Sequence, residues 1–331
     1  MADLNAMSAP FRWQKLGIVF DPRKAEGRPW LREFAQAPAS LVQGDRVRMY
    51  FSCRPPADAN GQYVSRSAWV DLDRTDLFKI RGLAPEPILP LGGLGEFDEF
   101  GTYPVSVATD GPLLRAYYAG WTRCESVPFN TAIGCAVSDD GGRSFRRVGC
   151  GPVIPYTPDE PFVMSGPKVR RFGGGWQLFY IAGRTWKRVG GRAEPVYRIR
   201  MATSNDGLTW RKLGRDLIHP RIEHDEAQAS PDVVYAGGRY HMFFCYRHSE
   251  GFRSRERGYR IGYAHSTDMV TWVRDDARAG IDVSPDPDAW DHEMVAYPHV
   301  FDLDGHTYMA YLGNQVGRHG FGLARLEGRL E

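Results

Sequence analysis

Carboxylates recur in this chain just before a set of prolines. Glu33, Glu99, Glu226 and Glu293 each lie five residues ahead of one, namely Pro38, Pro104, Pro231 and Pro298. The position before each glutamate holds Arg32, Asp98, Asp225 or His292, and ahead of Pro167 the acids are Asp159 and Glu160, with Phe162 in the glutamate's place. Paired carboxylates suit acid–base chemistry at an acetal carbon, where one is protonated to serve the leaving oxygen and the other is ionised. Crowding several around one centre would split their pKa values in that sense. Asp98, Glu99, Asp225, Glu226 and Glu293 are therefore the candidate catalytic residues.

Candidate binding residues follow the next apolar run in each segment: Arg54, Trp121, Arg184 and Arg247, with Asn314 in the fifth. Guanidinium groups would orient sugar hydroxyls or hold an anion, and an indole would stack on a sugar face. Two stretches, GRTWKRVGGRAEPVYR and YRHSEGFRSRERGYR, read as long loops rich in Arg and Lys, which points to a ligand bearing a carboxylate or phosphate. Tyr103 and Tyr297, each directly before its proline, would shape the pocket. All nine histidines lie between 219 and 319; His224 and His292 precede proline segments, and His299 stands one past Pro298, as Asp232 and Lys168 stand past theirs. Glu33, His224, Asp232, His292 and His299 complete the substrate-binding candidates. No HExxH or similarly tight ligand spacing occurs, so no cofactor or metal ligand is assigned, although this polar set leaves room for a cation.

The elements that must position these residues form a repeat. REFAQAPASL, DEFGTYPVSV, PFVMSGPKVR, HDEAQASPDV and HEMVAYPHVF centre on Pro38, Pro104, Pro167, Pro231 and Pro298, at spacings of 66, 63, 64 and 67. Each is followed by an aromatic strand such as LLRAYYAG or WQLFYIAG, and then by a third strand such as YRIRMATS or YRIGYAHS. Three third strands run into SDDGGRSF, SNDGLTW or STDMVTW. The SxDxGxxF turn at 138–145 resembles the Asp box of sialidases and reads as a turn staple. Four strands per unit without a helical period predict an all-β, five-bladed propeller of four antiparallel strands per blade. The last unit lacks a fourth strand, and WQKLGIVF at 13–20 nearly copies WRKLGRDLI, so the N-terminal strand should close the last blade. One domain results, with blades near 30–95, 96–157, 158–220, 221–285 and 286–331 plus 11–20. Two packed sandwiches would explain neither the repeat nor the matching ends. With the innermost strand first in each blade, the start of strand one, the end of strand two and the loop after it share one face of the disc. That face is the expected mouth of the site.

Composition agrees. The 331 residues are 42% hydrophobic and 25% charged, with 13% aromatics, 37 glycines and 23 prolines, a balance that favours short strands and turns. A net charge of +2 gives no field for nucleic acid or a membrane surface, and no apolar run approaches the roughly 18 residues of a membrane span. The N-terminal MADLNAMSAPF has neither a basic nor an apolar leader region. Five cysteines without a CxxC pair, three of them inside apolar strands, read as free thiols in a reducing cytoplasm.

Five blades marked by X-Pro inner strands, acids at the channel mouth and SxDxxxW turns together resemble the arabinanase, levansucrase and invertase group of glycoside hydrolases, including related mannoside phosphorylases. The resemblance spans essentially the whole chain. It implies a propeller acting on glycosidic bonds, with an Asp on blade one, an Asp on blade two and a Glu on blade three, each close to the proline. Here those places read Ala37-Pro38, Tyr103-Pro104 and Ser165-Gly166-Pro167, so the triad does not transfer. The expectation is a cytoplasmic enzyme that cleaves or transfers a glycosidic bond of an anionic sugar or oligosaccharide; the alternatives are an inert propeller that binds such a ligand, or different biosynthetic chemistry at the same mouth.

Overall fold

The computed structural model describes residues 9–331 and is almost entirely β-structure. The leader reading at the N-terminus falls mostly on residues 1–8, outside the described residues. After β1 (Arg12–Phe20), blade one is built from β2 (Glu33–Gln43), β3 (Arg46–Arg54), β4 (Arg66–Asp73) and β5 (Ile80–Leu83). Blade two contains β6 (Thr102–Asp110), β7 (Leu113–Thr122), β8 (Asn130–Ser138) and β9 (Arg146–Arg147). Blade three contains β10 (Ser165–Phe172), β11 (Gly175–Val189), β12 (Arg192–Ser204) and β13 (Arg211–Lys212). In blade four follow β14 (Ala227–Ala236), β15 (Arg239–Arg247), β16 (Arg260–Ser266) and β17 (Val273–Arg274), and in blade five β18 (Ala296–Leu303), β19 (His306–Leu312) and β20 (Phe321–Glu327). Each blade is a separate four-stranded antiparallel sheet, and β1 pairs with β20 to complete the fifth, so the two ends of the chain close the ring.

The repeat prolines explain the inner strands. Proline has no N–H for the ladder, and in all five inner strands the register slips around it. Ala37, Ser230 and Tyr297, each directly before its proline, have φ of 51°. Holding such residues in the left-handed region costs on the order of 1 kcal/mol each. Gly166 holds the same place at 60°, and the Tyr103–Pro104 bond is cis. A bulge of this kind re-aims the neighbouring side chains out of strict alternation. Gln36, Tyr103, Ser165 and Tyr297 thereby face the cavity described below.

The SxD turns are staples. Asp140 accepts from the Arg143 and Ser144 backbone N–H groups, Asp206 from those of Leu208 and Thr209, and Asp268 from those of Val270 and Thr271. One supposed loop is a strand pair. The stretch from Gly183 to Arg198 extends β11 and β12 into a long hairpin closed at Gly190-Gly191, with φ of 54° and 80°. Its Gly-Gly pair is a hairpin-turn signal, which the density of Arg and Lys obscured. Among the described residues no helix is long and apolar enough to cross a membrane.

Candidate active site

A cavity of about 810 Å³ opens on the face where strands one begin and strands two end. Every blade contributes: Gln36 and Arg54 from blade one, Tyr103 and Trp121 from blade two, Ser165 and Tyr197 from blade three, Arg247 and Tyr259 from blade four, and Glu293 and Tyr297 from blade five. Nine aromatic side chains line it, with six arginines against two glutamates, Glu194 and Glu293. Its charge balance is positive although the whole chain is nearly neutral.

Of the five candidate catalytic carboxylates, only Glu293 lines this cavity. Two of the others, Asp98 and Glu226, are placed by a recurring device. One acid ahead of the inner strand turns inward and meets a cation from the outermost strand. Asp98 meets Arg147 of β9 (2.7 Å), Glu160 meets Lys212 of β13 (2.6 Å), Glu226 meets Arg274 of β17 (2.6 Å), and Asp291 meets Lys15 of β1 (2.7 Å). In three blades a strand-two tyrosine hydroxyl donates to the same acid: Tyr118 to Asp98, Tyr180 to Glu160 and Tyr311 to Asp291. Glycines at the end of strand two leave room for this segment; a Cβ on Gly183 would stand 2.3 Å from the Phe162 ring. These acids tie the first strand of a blade to its last, and a reacting role for Asp98 and Glu226 is set aside because both are buried in ion pairs. Burial alone would raise the Glu226 carboxyl, but Arg274, the Arg221 N–H and Gln228 hold it below the usual glutamate range.

The remaining two candidates point elsewhere. Glu99 accepts the Gly95 N–H on the adjoining turn, and Asp225 pairs with Lys187 of the blade-three hairpin (2.6 Å) and with His224. The register of the staple differs between blades: the pinned acid is Asp98 in blade two, Glu226 in blade four and Asp291 in blade five. Five residues before the proline is therefore not one structural position. In blade five Asp291 takes the staple, and Glu293 is left in the cavity, where its carboxylate has no hydrogen-bond or ion-pair partner among the described residues. Its backbone is fixed, since the Glu293 N–H donates to Asn314 Oδ1 (2.8 Å).

Among the binding candidates, Arg54, Tyr103, Trp121, Arg247 and Tyr297 line the cavity. Arg184 is exposed and does not, because β11 continues past it as the outer hairpin. His224 is exposed, and His292 accepts from Arg255 at the far end of the blade-four loop. Glu33 lines a second cavity of about 430 Å³, which shares Gln315 and Arg318 with the first. Its carboxylate accepts from Arg318 (2.7 Å) and from the Tyr63 hydroxyl (2.8 Å).

Asp232 and His299 meet in the channel, away from the cavity lining. Asp232 is buried against Arg170 and accepts from His299 Nδ1 (3.0 Å). The Ser40 N–H donates to His299 Nε2 (2.8 Å), so Nδ1 carries the ring proton. Burial pushes His299 down to about 4 and Lys168 beside it down to about 8. Lys168 Nζ donates to the Pro38 carbonyl (3.1 Å). Four inner strands are thus joined around one carboxylate, and the cation charge beside it comes from Arg170 and Lys168. Among the described residues no group of three His, Cys, Asp or Glu side chains stands ready to hold a metal.

Arg247 is buried, and the Phe252 ring stacks 3.7 Å from its guanidinium carbon. It donates to the hydroxyls of Tyr259 (3.1 Å) and Tyr197 (3.4 Å) and to the Pro195 and His248 carbonyls. The Tyr197 and Tyr259 hydroxyls are 2.6 Å apart. Burial pushes the Tyr259 hydroxyl well above its usual range, and one hydroxyl of the pair donates to the other. The hairpin of blade three and the loop of blade four meet over the cavity through Glu194 and Arg253 (2.8 Å). Sequence reasoning did not single out Gln36, Ser165, Tyr197 or Tyr259. A signal for the two tyrosines was present, because both stand in the same words, YRIR and YRIG, Tyr197 within β12 and Tyr259 directly before β16.

No family model matches the chain. Over 316 residues it is 37% identical to the uncharacterized protein Rv1502 of Mycobacterium tuberculosis (strain ATCC 25618 / H37Rv), a match covering 95% of this chain and 99% of that protein. The uncharacterized protein MT1551 of strain CDC 1551 / Oshkosh matches to the same extent. The chain belongs to the family of these mycobacterial proteins. Solved structures place the family's fold. The structure of a BT0996 RGII complex superposes with a TM-score of 0.71 at 17% identity, over 96% of this protein and 92% of that one. A glycoside hydrolase structure gives 0.72 at 16% identity over the same shares. A structure from work on the GH130 family of mannoside phosphorylases gives 0.69 at 14% identity, over 96% of this protein and 94% of that one. The likeness is one of fold: this family shares the five-bladed propeller of those carbohydrate-active proteins.

Proposed function

We propose that this protein is a carbohydrate-active enzyme that cleaves or transfers a glycosidic bond of an anionic sugar, with Glu293 as the proton-transferring carboxylate. The observation that carries the reading is a single unpaired carboxylate in an aromatic, arginine-rich cavity at the propeller mouth. Aromatic faces suit sugar rings, and the excess of arginine over glutamate suits an anionic substituent. A carboxylic acid at Glu293 would protonate the departing oxygen, while the one hydroxyl of the Tyr197–Tyr259 pair that does not donate to the other gives its hydrogen bond to a ring hydroxyl. The second glutamate, Glu194, is committed to Arg253. Hydrolysis uses a second carboxylate to activate water or to attack. One free carboxylate therefore suits transfer to an acceptor that is already an anion, inorganic phosphate being the simplest. Five free cysteines, three of them buried, support a place in the reducing cytoplasm.

Binding without turnover is the second reading, and it has its own support: the inner-strand side chains at the cavity, Gln36, Tyr103, Ser165 and Tyr297 among them, include no carboxylate. The test is release of the aryl group from a panel of neutral, uronic and phosphorylated aryl glycosides, with and without inorganic phosphate. Glu293→Gln should lower kcat by about 10² to 10⁴ where the wild type turns over. No turnover of any member by the wild type, or an unchanged rate in Glu293→Gln, would overturn the enzymatic reading.

A further inference from the structure

Arg54 is unlike the other arginines of the cavity: four of those are committed to partners within the protein, and the fifth, Arg192, is exposed at the turn of the blade-three hairpin. Arg123 is paired with Asp58, Arg253 with Glu194 and Arg318 with Glu33, and Arg247 spends its donors on two carbonyls and two tyrosines. Arg54 makes one side-chain hydrogen bond, to Gln36 Oε1 (3.2 Å), and its Nε–H is buried without an acceptor. Its guanidinium carbon lies 4.5 to 5.6 Å from the ring centroids of Phe34, Tyr63, Tyr103 and Trp121. The indole N–H of Trp121 is a second buried donor in the same cage without an acceptor.

The obvious partner is turned away. Glu33 stands directly across the β2–β3 ladder from Arg54, yet its two carboxylate oxygens go to Arg318 and Tyr63. Gln36 takes the place a carboxylate would occupy. Its amide is oriented by a bond from Nε2 to the carbonyl of Val316, a residue held at φ 54°, so that Oε1 faces Arg54. Leaving the buried Nε–H of a half-buried guanidinium without an acceptor is costly, and burial draws Arg54 below its usual range. The surroundings keep this cost in place and do not relieve it with an internal ion pair.

We propose that Arg54, with the Trp121 N–H, anchors an anionic group of the ligand, a carboxylate or a phosphoryl group, inside this aromatic cage. The inference rests on the reading of the cavity as a carbohydrate site and names the residue that selects charged sugars over neutral ones. Aromatic rings around the guanidinium shield it from part of the solvent, so a bidentate anion there gains more than at an exposed arginine. Lysine cannot reproduce the planar, stacked fork.

The experiment is titration calorimetry with matched probes: a glucuronide, its methyl ester, the neutral glucoside, the glucoside 6-phosphate, and inorganic phosphate alone. Wild type should bind the glucuronide or the 6-phosphate at least about 10-fold more tightly than the ester and the glucoside; which of the two is preferred tells carboxylate from phosphoryl recognition. Arg54→Gln should weaken the charged probe by about 10- to 100-fold and the neutral one by less than about 3-fold. Arg54→Lys should recover only part of the loss. Gln36→Glu supplies an internal carboxylate. It should raise the melting temperature and weaken the charged probe, which keeps the proposal testable even where an Arg54 variant fails to fold. Equal affinity of wild type for charged and neutral probes, or undiminished charged-probe binding in Gln36→Glu, overturns the assignment. Charge selectivity without turnover would sink the enzymatic reading and leave Arg54's role standing; turnover without charge selectivity would do the reverse.

Discussion

Glu226 and Glu293 stand at the same offset from their prolines, yet the structure gives them opposite fates, and Glu226→Gln measures the difference. The Glu226 carboxylate is fully buried and accepts four hydrogen bonds: from the Arg221 and Ile222 N–H groups on Oε2 (3.0 and 3.1 Å), and from Gln228 and Arg274 on Oε1 (2.9 and 2.6 Å). Every neighbour is a donor. A glutamine amide placed either way sets its own NH₂ against two of them, so two charge-assisted bonds are lost. At about 1.5 kcal/mol each the cost is about 3 kcal/mol. Arg274 keeps Asp276 (2.9 Å), which holds the figure at the lower end of what breaking a buried pair costs. Unfolding entropy of about 2.1 cal/mol/K per residue over 331 residues is about 0.7 kcal/mol/K, so the melting temperature should fall by about 4 °C. The sign with pH follows from the depressed carboxyl. Its contribution is present above the unfolded glutamate value and is lost as the pH falls through the lower folded value. The gap between wild type and variant should therefore close in acid. Calorimetric melting from pH 3 to 7 measures it. A Glu226→Gln protein that melts within 1 °C of wild type at pH 7, or a gap that widens in acid, would refute the staple.

Two further outcomes follow from the same geometry. His241 is buried between the Tyr263 hydroxyl and the Ala236 carbonyl, and burial pushes it down to about 4. Between there and the unfolded value near 6.5 only the unfolded chain takes up the proton, so stability should rise with pH across that window, and His241→Gln should flatten the rise by up to one proton in urea titrations at several pH values. Asp140→Ala removes the acceptor for two backbone N–H groups and the Ser138 and Ser144 hydroxyls; it should cost about 1 kcal/mol by urea denaturation, without altering affinity for the cavity's ligands.

Much of the fold was legible because it repeats. A proline every 63 to 67 residues, an aromatic strand after each and a matching pair of chain ends are statements about spacing, and spacing is what a sequence displays directly. The mouth of the site was legible for the same reason, since strand order alone decides which loops share a face. Arg54, Trp121 and Arg247 could be named from their place at the end of strand two. What sequence could not decide is which acid of a cluster turns inward. Asp98, Glu226 and Asp291 occupy offsets of six, five and seven from their prolines, and a shift of one residue in an extended chain sends a side chain to the opposite side. That choice depends on where Arg147, Arg274 and Lys15 of the outer strands come to lie, across the full width of a blade. The same holds for Arg54. Its position follows from the strand repeat, but its freedom from Glu33 is decided by Arg318 and Tyr63, which only the closed ring brings together.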